Sequence, residues 1–308
     1  MNNRSNIIIQ ASWISVVGNA FLAFIKITLG MISGSIAVVA DGIDSATDIA
    51  TSFITLFTAR LLSKPPNVRF PYGYEKADTV ATKALSFIIF FAGAQLLIST
   101  VTRIITGQVS EMPTKLAFYV TIISVIGKLS MSIYLKYIGK NTNSSMLFAN
   151  SRNMQNDVLI STGVLIGLFF TFIFELPIID SLTALLVSFW IIKVAVQIFF
   201  QANTELMDGM KDPVLYCELF KAVKEVQGAH NPHRVRLRKI GSQIMISMDV
   251  EVDPFITVHE AHNIAIKIEE SIKMNVPNVY DIVVHIEPKG NEEDNEKFGL
   301  TENDVEMF

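Results

Sequence analysis

Up to residue 205 the chain reads as long apolar runs broken by short polar linkers; beyond it the runs shorten and become amphipathic. A helix that crosses a bilayer core needs about 20 largely apolar residues. Six runs qualify: Ile7 to Leu29, Ile36 to Leu61, Ala84 to Ile105, Leu116 to Tyr137, Leu147 to Phe172 and Ile179 to Gln201. The first is too long, and too polar in its middle (Ser12, Ser15, Asn19), for the apolar region of a cleaved signal peptide, so it is expected to stay in the protein. In the second part, Leu215, Leu219, Val223 and Val226 recur at helical spacing, and Ile264, Ile266, Ile268 and Ile272 populate another helix. Val235 to Lys239 and Ile244 to Val252 alternate at period two around a Gly241-Ser242 turn, and a last strand runs from Val279 to Ile286. The pattern predicts an all-α six-helix transmembrane bundle over 1–205 and an α+β domain of order αββαβ over 206–290. An acidic tail, 291–308, holds seven Asp/Glu and one Lys and is expected to be disordered.

Charge sharpens this division. Half of the 308 residues are hydrophobic and only 18% are charged, against roughly a quarter in a soluble domain, which argues against a soluble enzyme. Residues 1–205 carry a net charge of +4 and residues 206–308 one of −8. All five histidines and the one cysteine, Cys217, lie in the second part, so no internal disulfide stabilises it and a reducing compartment is permitted. Basic residues collect in cytoplasmic loops. Here Arg4, then Arg60, Lys64, Arg69 and Lys76, then Lys136 and Lys140 mark one side. The other side has the uncharged Gly30 to Gly34, a loop with Glu111 and Lys115, and Glu175 to Asp180 without Lys or Arg. Both termini are therefore expected in the cytoplasm.

Carboxylates inside apolar spans need an explanation, since an ionisable group at that depth costs at least about 2.5 kcal/mol on insertion scales. Span 2 places Asp44 and Asp48 at i and i+4, on one helical face; span 5 repeats the spacing with Asn153 and Asp157. At 1.5 Å per residue, Asp44 and Asp48 lie roughly 12 and 18 Å from the outer entry, and Asn153 and Asp157 roughly 9 and 15 Å from the inner one. The pairs meet near the midplane. Four oxygen donors, three of them anionic, suit a divalent cation. The alternative is plain pairing across the bundle with Lys26, Lys128 or Lys193, or hydrogen bonding as neutral polar groups. Asp41, one turn nearer the outside than Asp44, is open between a pathway role and a ligand role.

At these residues the chain resembles the cation diffusion facilitator family of divalent metal/proton antiporters. The carrying motifs are Asp44-Ser45-Ala46-Thr47-Asp48, Asn153 with Asp157, Pro71-Tyr72-Gly73-Tyr74-Glu75-Lys76-Ala77-Asp78, and His285-Ile286-Glu287-Pro288, and the likeness covers about residues 5 to 290. The resemblance implies a ferredoxin- or metallochaperone-like cytosolic domain that dimerises and binds regulatory metal, with ligands from His262, His285 and Glu287 and then from His230 or His233. It also implies a charge interlock between Lys76 and Asp208, which in the family holds together the membrane halves of a homodimer. Two departures stand out. No histidine is present among Asp44, Asp48, Asn153 and Asp157, and the places of a second loop site in some members hold Asn67, Phe70 and Tyr74, so that site is expected to be missing. Met248 stands where some members add a hairpin histidine.

The resulting expectation is export of a divalent transition metal from the cytosol, exchanged for protons by alternating access, in the cell (inner) membrane. Oxygen donors favour Mn²⁺ or Fe²⁺, with Zn²⁺ and Co²⁺ retained. No enzyme activity, no cofactor and no nucleic-acid partner are expected; the metal is the substrate and a candidate regulator. Two rival readings are a membrane-anchored metal sensor that does not transport, built on the histidine-bearing domain, and an intramembrane aspartyl hydrolase using the paired carboxylates. The second lacks a Gly-x-Gly-Asp segment.

Overall fold

The computed structural model describes residues 2–62, 64–74, 76–107, 112–142, 145–210, 212–240, 243–291 and 298–305; Glu75, Glu111 and the Gly241-Ser242 turn lie outside them. The helices α1 (Asn2–Ser33), α2 (Ile36–Leu62), α3 (Lys76–Ile105), α4 (Lys115–Thr142), α5 (Ser145–Phe174) and α6 (Ile178–Leu206) come first. Then follow α7 (Pro213–Lys224), β1 (His230–Ile240), β2 (Gln243–Val252), α8 (Val258–Asn275), β3 (Val279–Pro288) and the short α9 (Glu302–Val305). Among the described residues, five helices are long and apolar enough to cross a membrane: α1, α3, α4, α5 and α6. The helix α2 carries the three carboxylates. Several helices outrun the apolar stretches that announce them. The helix α3 begins at Lys76 rather than Ala84, with Asp78 in its first turn, where a negative charge favours the helix start.

Two compact units result: Met1–Arg60 with Ala81–Phe199, and Leu61–Val80 with Phe200–Phe308. The membrane unit buries many small and hydroxylic side chains beside larger ones such as Leu85, Ile89, Leu168 and Ile191, and exposes large apolar ones. Ala37, Ala40, Ala117, Ala184, Ser86, Thr121 and Ser188 are buried, whereas Phe91, Ile98, Leu186 and Phe189 are exposed. Lipid tails are as apolar as leucine, so helices in a membrane associate through close packing and hydrogen bonds instead. Gly42 shows how close: a Cβ there would stand 3.0 Å from the backbone nitrogen of Ile27, so α1 and α2 meet nearly backbone to backbone. That approach sets Lys26 beside Asp41. The start of α2 is tied to the first turn of α6, because Asp180 accepts hydrogen bonds from Ser35 Oγ (2.6 Å) and from the Ile36 N–H (2.8 Å).

The second unit has the expected αββαβ order. Its sheet runs β1-β2-β3, with β1 antiparallel and β3 parallel to β2. Leu219 and Val223 of α7, Ile246, Met248 and Val250 of β2, and Ile268 and Ile272 of α8 share one core. Asp212 caps α7 by accepting from the Leu215 N–H, with Pro213 at the first turn. Thr257 and Glu260 form a capping box on α8. The strand β1 departs from the sequence pattern: it starts at His230 rather than Val235, and its register shifts on both sides of His233. Asn231 and Arg234 take left-handed backbone conformations (φ 42° and 50°). These kinks break the period-two alternation, and residues 230–234 form an irregular start to the strand.

The tail also differs from its composition. Residues 298–305 fold: Leu300 and Val235 exchange two backbone hydrogen bonds of 2.9 Å, Lys224 pairs with Glu302 at 2.6 Å, and Leu300 and Val305 pack on the core. The backbone of Arg234 lies where a Gly299 side chain would be. Disorder inferred from acidic composition therefore fails for this stretch, because two apolar side chains and a β-bridge give it something to bury.

Candidate functional site

The helices α2 and α5 bring Asn153 and Asp157 of α5 against Asp48 of α2. Asn153 Nδ2 donates to Asp48 Oδ1 at 3.3 Å. Asp48 also stands within hydrogen-bonding reach of Asp157, and the ligand atoms of Asp44, Asp48 and Asp157 are not all within 4.8 Å of one another. Asp44 and Asp157 are buried, Asp48 is half-buried and Asn153 is exposed. Half a turn of the amide would present the Asn153 oxygen in place of its nitrogen, an assignment that hydrogen-bond networks rather than atomic positions decide.

Both buried lysines engage carboxylates, but in different ways. Lys128 Nζ lies 2.9 Å from Asp157 Oδ2, with the lysine side chain 1% exposed. Pairing across the bundle, the alternative to a cation site, thus applies to one of the four donors. Lys26 is 0% exposed and pairs with Asp41 at 2.7 Å. It also donates to Ser161 Oγ (2.9 Å) and Ser45 Oγ (3.3 Å), while Ser161 Oγ donates to Asp41 Oδ1 at 2.8 Å. Asp41 is therefore held in a network joining α1, α2 and α5. Lys193 faces the Trp190 ring at 5.2 Å instead of a carboxylate.

A second cluster forms across the sheet. Register pairs His233 with Asp249 on β2, and Asp249 with His285 on β3. Among the described residues, His233, Asp249 and Glu287 make the one group of three whose ligand atoms lie within 4.8 Å of one another. His233 Nε2 and His285 Nε2 each stand 3.5 Å from a Glu287 oxygen, and His233 Nδ1 contacts the Asn231 carbonyl oxygen at 2.8 Å. The second-nitrogen contact is the kind that orients a ligating imidazole. Arg234 pairs with Asp249 at 2.9 Å. Burial pushes the Asp249 carboxyl above its ordinary range, with Arg234 opposing. The sequence reading missed Asp249; its signal was an acid flanked by Met248 and Val250 in a largely buried strand. His230 and His262 are exposed and stand outside this cluster, and Met248 is fully buried in the core.

Lys76 and Asp208 meet at 2.7 Å. Asp208 follows α6 in a left-handed conformation (φ 59°), and the Gly209 N–H returns to the Thr204 carbonyl at 2.8 Å, which aims the carboxylate at α3. With both side chains about 40% exposed, such a pair contributes about 0 to 1 kcal/mol to stability. In the preceding loop, Asn67 Oδ1 accepts from the Arg69 and Phe70 N–H groups and its Nδ2 donates to Tyr74 Oη, so these residues shape the loop.

Residues 12–207 match the model of the cation efflux transmembrane domain, and residues 212–289 match that of the cation efflux protein cytoplasmic domain. The uncharacterized transporter YdbO of Bacillus subtilis is 31% identical over 91% of this chain and 95% of its own length. The manganese efflux system protein MneS of the same organism is 30% identical over 89% and 93%. The magnetosome protein MamB of Magnetospira sp. is 28% identical over 85% and 89%. The apolar helices, the αββαβ domain and two matched models in the same order lead to one conclusion: the chain belongs to the cation efflux, or cation diffusion facilitator, family of membrane transporters.

Proposed function

We propose that this transporter exports a divalent transition metal from the cytosol in exchange for protons, by alternating access around Asp44, Asp48, Asn153 and Asp157. The observation that carries it is the convergence of the α2 and α5 donors, with Asn153 on Asp48 and Asp48 beside Asp157. The donors are carboxylate and amide oxygens, which favour Mn²⁺ or Fe²⁺ over the imidazole-preferring Zn²⁺, with Zn²⁺ and Co²⁺ as weaker substrates. MneS and MneP, relatives named as manganese efflux system proteins, support the same metal. In this reading α2 is the sixth span, its carboxylates facing the bundle, and both termini lie in the cytoplasm at the cell membrane. The chain works as a homodimer, and the pair of Lys76 and Asp208, formed within one chain, holds the start of α3 to the end of α6 where the membrane halves of the dimer are locked. The cluster of His233, Asp249 and Glu287, with His285 beside it, takes a regulatory divalent ion in the cytosol; His262 and His230 join only through a rearrangement.

The family consists of transporters, so the aspartyl hydrolase reading is set aside. A sensor that does not transport remains the rival, and it separates cleanly from export. Asp48→Ala and Asp157→Ala are each expected to reduce metal uptake into proteoliposomes to the background of empty vesicles while insertion is unchanged. Wild-type flux in either variant would reject the site.

Charge reversal at Lys76 or Asp208 alone is expected to impair transport or dimerisation, and reversal of both to restore it. A double variant no better than the singles would uncouple the pair.

Asn153→His supplies an imidazole donor and is expected to shift the flux ratio toward Zn²⁺ over Mn²⁺. Competition flux with both metals reads this directly, and an unchanged ratio would remove Asn153 from the site.

A further inference from the structure

Two ammonium groups are buried among the membrane helices, and their charges are balanced differently. Lys26 has a carboxylate of its own in Asp41, at 2.7 Å, and Ser45 and Ser161 take further bonds, so that network is neutral by itself. Lys128 on α4 donates to Asp157 Oδ2 at 2.9 Å, and Asp157 is one of the four proposed metal donors. Asp44 and Asp48 complete the charged groups named at the site, and Asn153 is neutral. Three carboxylates and one ammonium leave a charge of −2, equal and opposite to one divalent cation.

We infer that Lys128 sets the charge of the transport site, so that the site carrying one divalent cation is electrically neutral as it moves between the two faces of the membrane. The inference rests on the four-residue reading of the site. Ligating carboxylates are ionised when a metal is bound, so without Lys128 the loaded site carries −1. A net charge in the bilayer interior is unfavourable, and its movement is driven or opposed by the membrane potential. With Lys128 in place neither penalty applies to a divalent ion, whereas a monovalent ion leaves −1 and a trivalent one +1. Lys128 engages Asp157 through Oδ2. It is a positioning and charge-setting residue, and its own contact is with the carboxylate rather than the ion.

Equilibrium exchange of radioactive Mn²⁺, with equal Mn²⁺ on both sides of proteoliposomes, reports the loaded site alone. Potentials of about +100, 0 and −100 mV are imposed with potassium and valinomycin. Wild type and Lys128→Arg are expected to exchange at rates that agree within about twofold at all three potentials. Lys128→Met is expected to change at least about threefold between the extremes, and to bind Mn²⁺ at least about fivefold more tightly, the low end of coupling between two bound charges. Lys128→Gln keeps a hydrogen-bond donor for Asp157 and replaces Lys128→Met if that protein does not accumulate. Voltage-dependent exchange by the wild type overturns the inference, as does a Lys128→Met or Lys128→Gln protein whose exchange stays voltage-independent with unchanged Mn²⁺ affinity. Asp48→Asn, measured alongside, separates the two levels: if it exchanges and binds Mn²⁺ like the wild type, the four-residue site itself is wrong.

Discussion

An ionised carboxylate inside a bilayer must be compensated, and the arrangement of the membrane helices follows from that need. Four carboxylates lie in α2 and α5, at Asp41, Asp44, Asp48 and Asp157. Asp41 is met by Lys26, Asp157 by Lys128 and Asp48 by the Asn153 amide. Replacing a buried ion pair by apolar residues is often neutral or stabilising, so stability alone does not account for four acids in two helices. Under the proposed function, binding and releasing a cation does.

The same need explains the close approach of α1 and α2 at Gly42. Lys26 reaches Asp41 because Gly42 lets α1 and α2 touch, and Ser45 and Ser161 satisfy the remaining bonds of that network. A larger residue at position 42 would separate the helices and leave a buried ammonium and a buried carboxylate apart, each a costly defect in low dielectric. The Lys26 network thus joins α1, α2 and α5. Outside the membrane the same chemistry is milder. Asp249 is held by Arg234 in the sheet, and the irregular start of β1 turns His233 toward Glu287. The tail at Gly299 and Leu300 packs against that same irregular segment.

Much of this was legible in the sequence because membrane insertion penalises charge so heavily. The i, i+4 pairs Asp44/Asp48 and Asn153/Asp157 stand out for that reason, and the apolar runs mark the helices. Partner choice was not legible: whether Lys26 or Lys128 meets Asp41 or Asp157 depends on helix rotation and on close approach at Gly42, and neither is written in a local period. The αββαβ order followed from alternation, but β1 before Val235 did not, since Pro232 and two left-handed residues break the period there. Asp249 escaped notice because β2 is buried on both faces around it, so a polar residue at that place looks like one more outward position. Leu300 and Val305 were hidden among acidic neighbours.

The central claim is that oxygen atoms of α2 and α5 hold the transported metal. X-ray absorption at the Mn edge, on full-length protein in which His233→Ala and His285→Ala disable the cytosolic cluster, tests it most directly. The account predicts one bound Mn²⁺ per chain in a shell of oxygen ligands, without imidazole scattering, and its loss when Asp157→Ala is added. Imidazole scattering, or Mn²⁺ retained after Asp157→Ala, would contradict it.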